Sequence, residues 1–165
     1  MLLMGVAGCG KSTVGVALAE RIGAVYLDGD VLHPPENIAK MSRGEPLDDA
    51  DRWPWLTLVG RSLAAPATPL VVGCSALKRR YRDHIRLEAG ASVALIHLAG
   101  SRDLIAARMT ARTGHFMPAA LVESQYAALE PPGSDENTID VDIDQPIDAI
   151  IDRIARLLGG TEHDE

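Results

Sequence analysis

The chain has 165 residues, of which 47% are hydrophobic and 24% charged, with a formal net charge of -7. That length suits one domain with a buried core, and the composition is that of a globular protein. The acidic balance argues against a nucleic-acid surface, no apolar run approaches the roughly 18 residues of a membrane span, and the stretch Met1 to Val6 is too short for a secretory signal, so a cytoplasmic protein is expected.

In chain order, Leu2 to Val6 predicts a first strand that runs into the stretch Gly5 to Thr13. There Gly5, Gly10, Lys11 and Ser12 satisfy G-x-x-x-x-G-K-[ST], with a helical pattern at Val14, Ala17, Leu18 and Ile22 behind them. Gly5, Gly8 and Gly10 let successive backbone N–H groups turn inward around a phosphate. The helix start near Lys11 and Thr13 adds its positive dipole end, Lys11 a full charge, and Ser12 a hydroxyl for magnesium. Cys9 and Cys74 are too few for a disulfide framework and read as reduced residues packed close to backbone, with a redox role for Cys9 as the other reading.

Four further runs read as strands: Ala24 to Leu27, Leu70 to Val72, Val93 to Leu98 and Thr138 to Val141. Helical patterns lie between them, at Leu56, Val59 and Leu63, at Leu104, Ile105 and Met109, and at Ile147, Ile150, Ile151, Ile154 and Leu158. Pro34-Pro35 can open a helix, Asp48 and Ser101 are N-cap residues, Pro146 stands where the last helix begins, and Pro131-Pro132-Gly133 marks a loop. This alternation predicts an α/β fold, a five-stranded parallel sheet with helices on both faces, in a single domain over 1–165 with a frayed tail at 161–165. Ligands of such sheets bind beyond the carboxyl ends of the strands, and the polar clusters of this chain follow strands.

The phosphate loop implies a bound nucleotide but not its fate. The third strand ends in Gly73-Cys74-Ser75 with no terminal Asp, and there is no Asn-Lys-x-Asp string, which weakens the hydrolase and switch readings. Asp28 and Asp30 follow the second strand instead, separated by Gly29, which leaves room for ligand. One can hold magnesium through water while the other orients or deprotonates an attacking hydroxyl; alternatively the pair caps the helix after Pro34-Pro35. In the basic segment Lys78 to Arg86, a helix from about Leu77 sets Lys78 and Arg82 on one face where they can meet a carboxylate, leaving Arg79, Arg80 and Arg86 solvated. A wholly solvated basic helix is the other reading. Trp53, Trp55 and Arg52 suit the wall of a polar pocket, unless one tryptophan is core. Arg108 and Arg112 end a helical pattern that leads into Thr113 to Pro118, which suggests a lid carrying positive charge onto the transferring group.

Taken together, Leu27-Asp28-Gly29-Asp30, Leu32-His33-Pro34, Asn37 to Met41, Gly44 to Leu47 with Asp51-Arg52, Cys74 to Lys78 with Tyr81-Arg82-Asp83, Gly114-His115-Phe116 and Val141 to Pro146 resemble the bacterial gluconokinase family over nearly the whole length. The resemblance implies a P-loop kinase fold with a mobile lid at about 112–130, substrate-binding helices at about 33–65, and a homodimer. It also implies ATP- and Mg2+-dependent phosphorylation of D-gluconate at its 6-hydroxyl. By the same resemblance Lys11, Asp30 and Arg112 are catalytic, and Arg108, Arg112, Gln145 and Pro146 lie by the nucleotide. Lys40, Arg52, Ser75, Lys78, Arg82 and Gln125 join Asp30 at the substrate, and Ser12 and Asp28 serve the metal. Cys9 stands where Ser is common in this loop, and the chain begins almost on its first strand where relatives usually carry several residues beforehand. A kinase of another small hydroxy acid such as shikimate, or a nucleotide-dependent binding module, is the alternative.

Overall fold

Each of the five apolar runs becomes a strand and each helical pattern a helix, in a computed structural model that describes residues 1–113 and 119–159, the side chains of 112, 113, 119 and 120 excepted. The order is β1 (Leu2–Met4), α1 (Lys11–Ile22), β2 (Val25–Asp28), α2 (Pro35–Ser42), α3 (Asp49–Leu63), β3 (Leu70–Gly73) and α4 (Arg79–Ala89). There follow β4 (Leu95–Ala99), α5 (Arg102–Thr113), α6 (Ala119–Ala128), β5 (Thr138–Asp142) and α7 (Ile147–Gly159), with 3-10 turns at Gly29–Leu32 and Ser134–Glu136. Of the lid expected at about 112–130, residues 119–128 form α6, while 114–118, with His115 and Phe116, lie outside the described residues, as does the tail at 161–165.

The strands pair in parallel in the order β2-β3-β1-β4-β5, with Leu2 opposite Val72 and Leu95, and Leu98 opposite Val141. Period-2 alternation sends Leu3 to one face and Leu2 and Met4 to the other, so the sheet has two cores. On the first, Leu3, Ile96 and Val141 pack with Leu18 of α1, Ile105 of α5 and Ile151 and Ile154 of α7; on the second, Leu2, Met4 and Val72 pack with Leu56 and Val59 of α3 and Ile85 of α4. Leu18 and Leu56 are fully buried, and each such side chain contributes roughly 1.5–3 kcal/mol.

Capping fixes where the helices begin. The Asp48 carboxylate accepts from the Asp51 N–H at 2.8 Å while Asp51 accepts from the Asp48 N–H at 2.9 Å, a reciprocal box that starts α3. Ser101 Oγ accepts from the Leu104 N–H at 3.1 Å at the head of α5. The basic helix begins at Arg79 rather than Leu77, with Lys78 at its N-cap. Because β1 leads outward to β2 and the chain returns through β3 before crossing to β4, the order of connections reverses at β1. The crevice beyond its carboxyl end is the ligand position of such a sheet.

Candidate functional site

The phosphate loop fills that crevice between β1 and α1. Gly8 stands at φ +82, and a Cβ there would meet Met109 Cγ at 2.7 Å, so both the backbone conformation and the approach of α5 require glycine. The Lys11 ammonium lies over the loop, donating to the Gly5 carbonyl at 2.9 Å and the Val6 carbonyl at 3.1 Å. Cys9 is buried, and burial pushes its thiol up despite Lys11; Cys74 is pushed up to about 12 for the same reason. Burial and a raised thiol pKa both weigh against the redox reading of Cys9.

Beside the loop, a cavity of about 310 Å³ is lined by Ala7, Gly8, Gly10, Lys11, Ser12, Thr13, Asp30, Ser75 and Gln125. Four separate elements of the chain deliver these groups. Asp30 rides on the 3-10 turn after β2, where its N–H donates to Asp28 Oδ1 at 3.0 Å and Trp55 Nε1 donates to the Gly29 carbonyl at 2.8 Å. Gly29 makes room not for ligand but for β3, since a Cβ there would stand 2.6 Å from the Gly73 carbonyl. The pair Asp28 and Asp30 therefore does not cap α2; Asp28 caps its own turn and leaves the Asp30 carboxylate exposed. Gln125 enters from α6, its Oε1 accepting from the Ala7 N–H at 2.9 Å.

Other groups expected at the substrate are placed elsewhere. Arg82 is 1% exposed, and its guanidinium is consumed by Glu136 at 2.7 and 2.9 Å and by the Ala76 and Leu77 carbonyls, so it meets a carboxylate as expected but not one on a ligand. Lys40 is held by Asp51 at 2.6 Å and does not line the cavity. Arg52 and Lys78 also stand outside its lining, each 5.7 Å from the Tyr81 ring centroid, with Arg80 at 5.4 Å. Arg80 and Arg52 share one carboxylate, Asp49, which accepts from Arg80 and the Tyr81 hydroxyl and lies 3.8 Å from Arg52. The basic helix is not wholly solvated, since Tyr81 and Arg82 are buried and Arg86 pairs with Glu136 at 3.1 Å; Arg79 and Arg80 are exposed as expected and pair at the surface, with Asp135 at 2.8 Å and with Asp49. Trp55 is core and stacks on His33 at 4.1 Å, whereas Trp53 is half-buried against Tyr81 and His84.

A second cavity, about 570 Å³, opens on the other side of the loop and is lined by Gly8, Cys9, Gly10, Thr13, Val14, Arg108, Met109, Gln145, Ile147 and Ile150. Arg108 donates to the Ile143 carbonyl at 2.6 Å and Gln145 to the Asp142 carbonyl, so both are anchored at the end of β5. The apolar walls from Val14, Met109, Ile147 and Ile150 suit a flat base. Pro146 is exposed and does not line this cavity, and the Arg112 side chain lies outside the described residues.

Sequence reasoning assigned no role to Tyr26, Tyr81 or Glu136. The Tyr26 hydroxyl is hydrogen-bonded to Ser12, and the side chain passes so close to two glycines that a Cβ at Gly15 would lie 2.2 Å from its ring and one at Gly73 would lie 2.4 Å from its hydroxyl oxygen. Nothing in local spacing announces that contact, because its partners come from α1 and β3. Among the described residues no cluster of three or more His, Cys, Asp or Glu forms a metal site. Magnesium with a nucleotide needs less, one or two protein oxygens beside phosphates and water; Ser12 lines the cavity and offers one, whereas Asp28, expected beside it, caps its own turn and stands outside the lining.

A phosphate loop at the switch point, an acidic turn across a cavity from it, and no carboxylate ending the neighbouring β3 make this a phosphate-loop kinase fold. A family model described as an AAA domain matches residues 1–132. Gluconokinase of Gluconobacter oxydans is 43% identical over 94% of this chain and 89% of its own length, and the thermoresistant gluconokinase of Escherichia coli 45% identical over 91% and 87%. The crystal structure of a gluconokinase from Sinorhizobium meliloti superposes with a TM-score of 0.85 at 48% identity, covering 98% of this chain and 96% of that one. The chain belongs to the gluconokinase family.

Proposed function

We propose that this chain transfers the γ-phosphoryl group of ATP to the 6-hydroxyl of D-gluconate, giving ADP and 6-phospho-D-gluconate. The observation that carries the reading is the cavity in which the Asp30 carboxylate shares walls with Lys11, Ser12 and Thr13, so that an acceptor hydroxyl and a terminal phosphate can meet there. Adenine occupies the larger cavity between Arg108, Met109 and Gln145, and the phosphates run over the loop N–H groups toward Ser12. Lys11 turns from the Gly5 and Val6 carbonyls to the β and γ phosphates, and Arg108 and Arg112 offset their charge. Asp30 accepts the proton of the 6-hydroxyl as its oxygen bonds to phosphorus and the bond to ADP breaks.

Ser75 and Gln125 bind hydroxyls of gluconate within the cavity, while Arg52 and Lys78, with Lys40 further out, supply the positive field that favours its carboxylate. Ser12, with Asp28 through water, would hold magnesium, which would offset charge on the β and γ phosphates. A single domain, a lid over 112–130 that excludes water, a cytoplasmic location where ATP is supplied, and a homodimer complete the reading, the last on family resemblance alone. Coupled ADP-release measurements over gluconate, shikimate and other sugar acids test it. A rate with gluconate well above the others is expected; equal rates on all, or slow hydrolysis that no acid stimulates, would defeat it.

A further inference from the structure

Behind the acceptor cavity lies a buried ion network that takes no part in phosphoryl transfer. The Glu136 carboxylate, 1% exposed, accepts from Arg82 Nε at 2.7 Å and Nη2 at 2.9 Å, from Arg86 Nη1 at 3.1 Å and from the Gly133 N–H at 3.0 Å. With that carboxylate in place, the remaining Arg82 nitrogen, Nη1, donates to the Ala76 and Leu77 carbonyls, both at 3.1 Å. Ala76 stands at φ +43, a left-handed conformation that an alanine disfavours and that would relax if the loop were free. The residue before it is Ser75, which lines the cavity; two residues after it comes Lys78, beside Tyr81. A second strut joins the same loop, the Glu130 N–H donating to the Leu77 carbonyl at 2.8 Å and Glu130 Oε2 accepting from the Arg79 N–H at 2.7 Å.

A buried ion pair is not needed to hold two surfaces together, because apolar side chains of similar volume do so as well or better. What apolar groups cannot do is donate two hydrogen bonds into a strained loop, and that is where the free end of the Arg82 fork points. We propose that Arg82 and Glu136 are positioning residues of the acceptor site. Glu136 orients the guanidinium, the guanidinium holds Ala76 left-handed, and Ala76 sets the places of Ser75 and Lys78. The inference rests on the reading of Ser75 and Lys78 as gluconate-binding groups.

Steady-state kinetics of four variants test it. Arg82→Lys keeps a charge beside Glu136 but lacks the fork that reaches both carbonyls, so the KM for gluconate is expected to rise about tenfold while that for ATP stays within about twofold. Glu136→Gln, if it folds, should show the same split. Ala76→Gly added to Arg82→Lys should recover part of the gluconate KM, since glycine holds the left-handed conformation without a clamp. Ser75→Ala reports on the underlying reading. A raised gluconate KM in Ser75→Ala with a wild-type value in Arg82→Lys overturns the positioning role alone, as does a parallel rise for ATP and gluconate or an absence of recovery with Ala76→Gly. An unchanged gluconate KM in Ser75→Ala withdraws the acceptor reading and the proposal with it.

Discussion

On the donor side of the cavity proposed above, the walls come from one continuous stretch of the phosphate loop, Ala7 to Thr13, closed by the first turn of α1. On the acceptor side Asp30, Ser75 and Gln125 come from the turn after β2, the loop after β3 and α6, and each is held by a group from another element. Trp55 of α3 pins the Asp30 turn, Arg82 of α4 pins the Ser75 loop, and the Ala7 N–H orients Gln125. A backbone-built half tolerates side-chain exchange such as Cys9 for Ser, but not a change in backbone conformation. A side-chain-built half tolerates neither loss of its groups nor of the partners that orient them.

The largest effect that separates the halves should come from Asp30→Asn. Turnover is expected to fall by at least about a hundredfold with the KM for ATP unchanged, because the carboxylate acts on the acceptor hydroxyl alone. Turnover near wild type in steady-state assays would remove Asp30 from the mechanism. Gly8→Ala should show the converse pattern at smaller size. Alanine at φ +82, with its Cβ driven toward Met109, should raise the KM for ATP roughly tenfold and leave that for gluconate alone, and equal rises would break the division into halves.

The smallest effect lies in acid. Hydrogen bonding from Arg82, foremost, holds the Glu136 carboxyl at about 2, below its ordinary 4.5, so the folded state binds this proton less readily than the unfolded chain. The stability it contributes is complete above pH 4.5 and is lost as pH falls toward 2. Denaturant titrations over that range should show a shallower decline in Glu136→Gln than in the wild type; the same slope in both would place the acid sensitivity elsewhere.

How much of this was legible in the sequence follows from the same division. The loop, the five strands and the helix starts at Pro35 and Asp48 are local features, encoded by residues within a few positions of one another. Asp30 was legible because it directly follows a strand. Arg82 was misplaced at the substrate because its partner Glu136 lies 54 positions away, and no spacing rule connects them. Tyr81 and Tyr26 escaped for the same reason, their roles depending on Asp49 and the cations around it, and on Ser12, Gly15 and Gly73.

By itself the sequence determined a phosphate loop at Gly5 to Thr13 in a parallel α/β sheet. Helix dipoles, left-handed glycines and strand periodicity act over a few residues and so can be read from a string. Only the tertiary structure decided which cations are locked in the core, as Arg82 is, and which stay at the surface, as Arg79 and Arg80 do. A guanidinium's role is set by the nearest carboxylate in space, and packing chooses that neighbour.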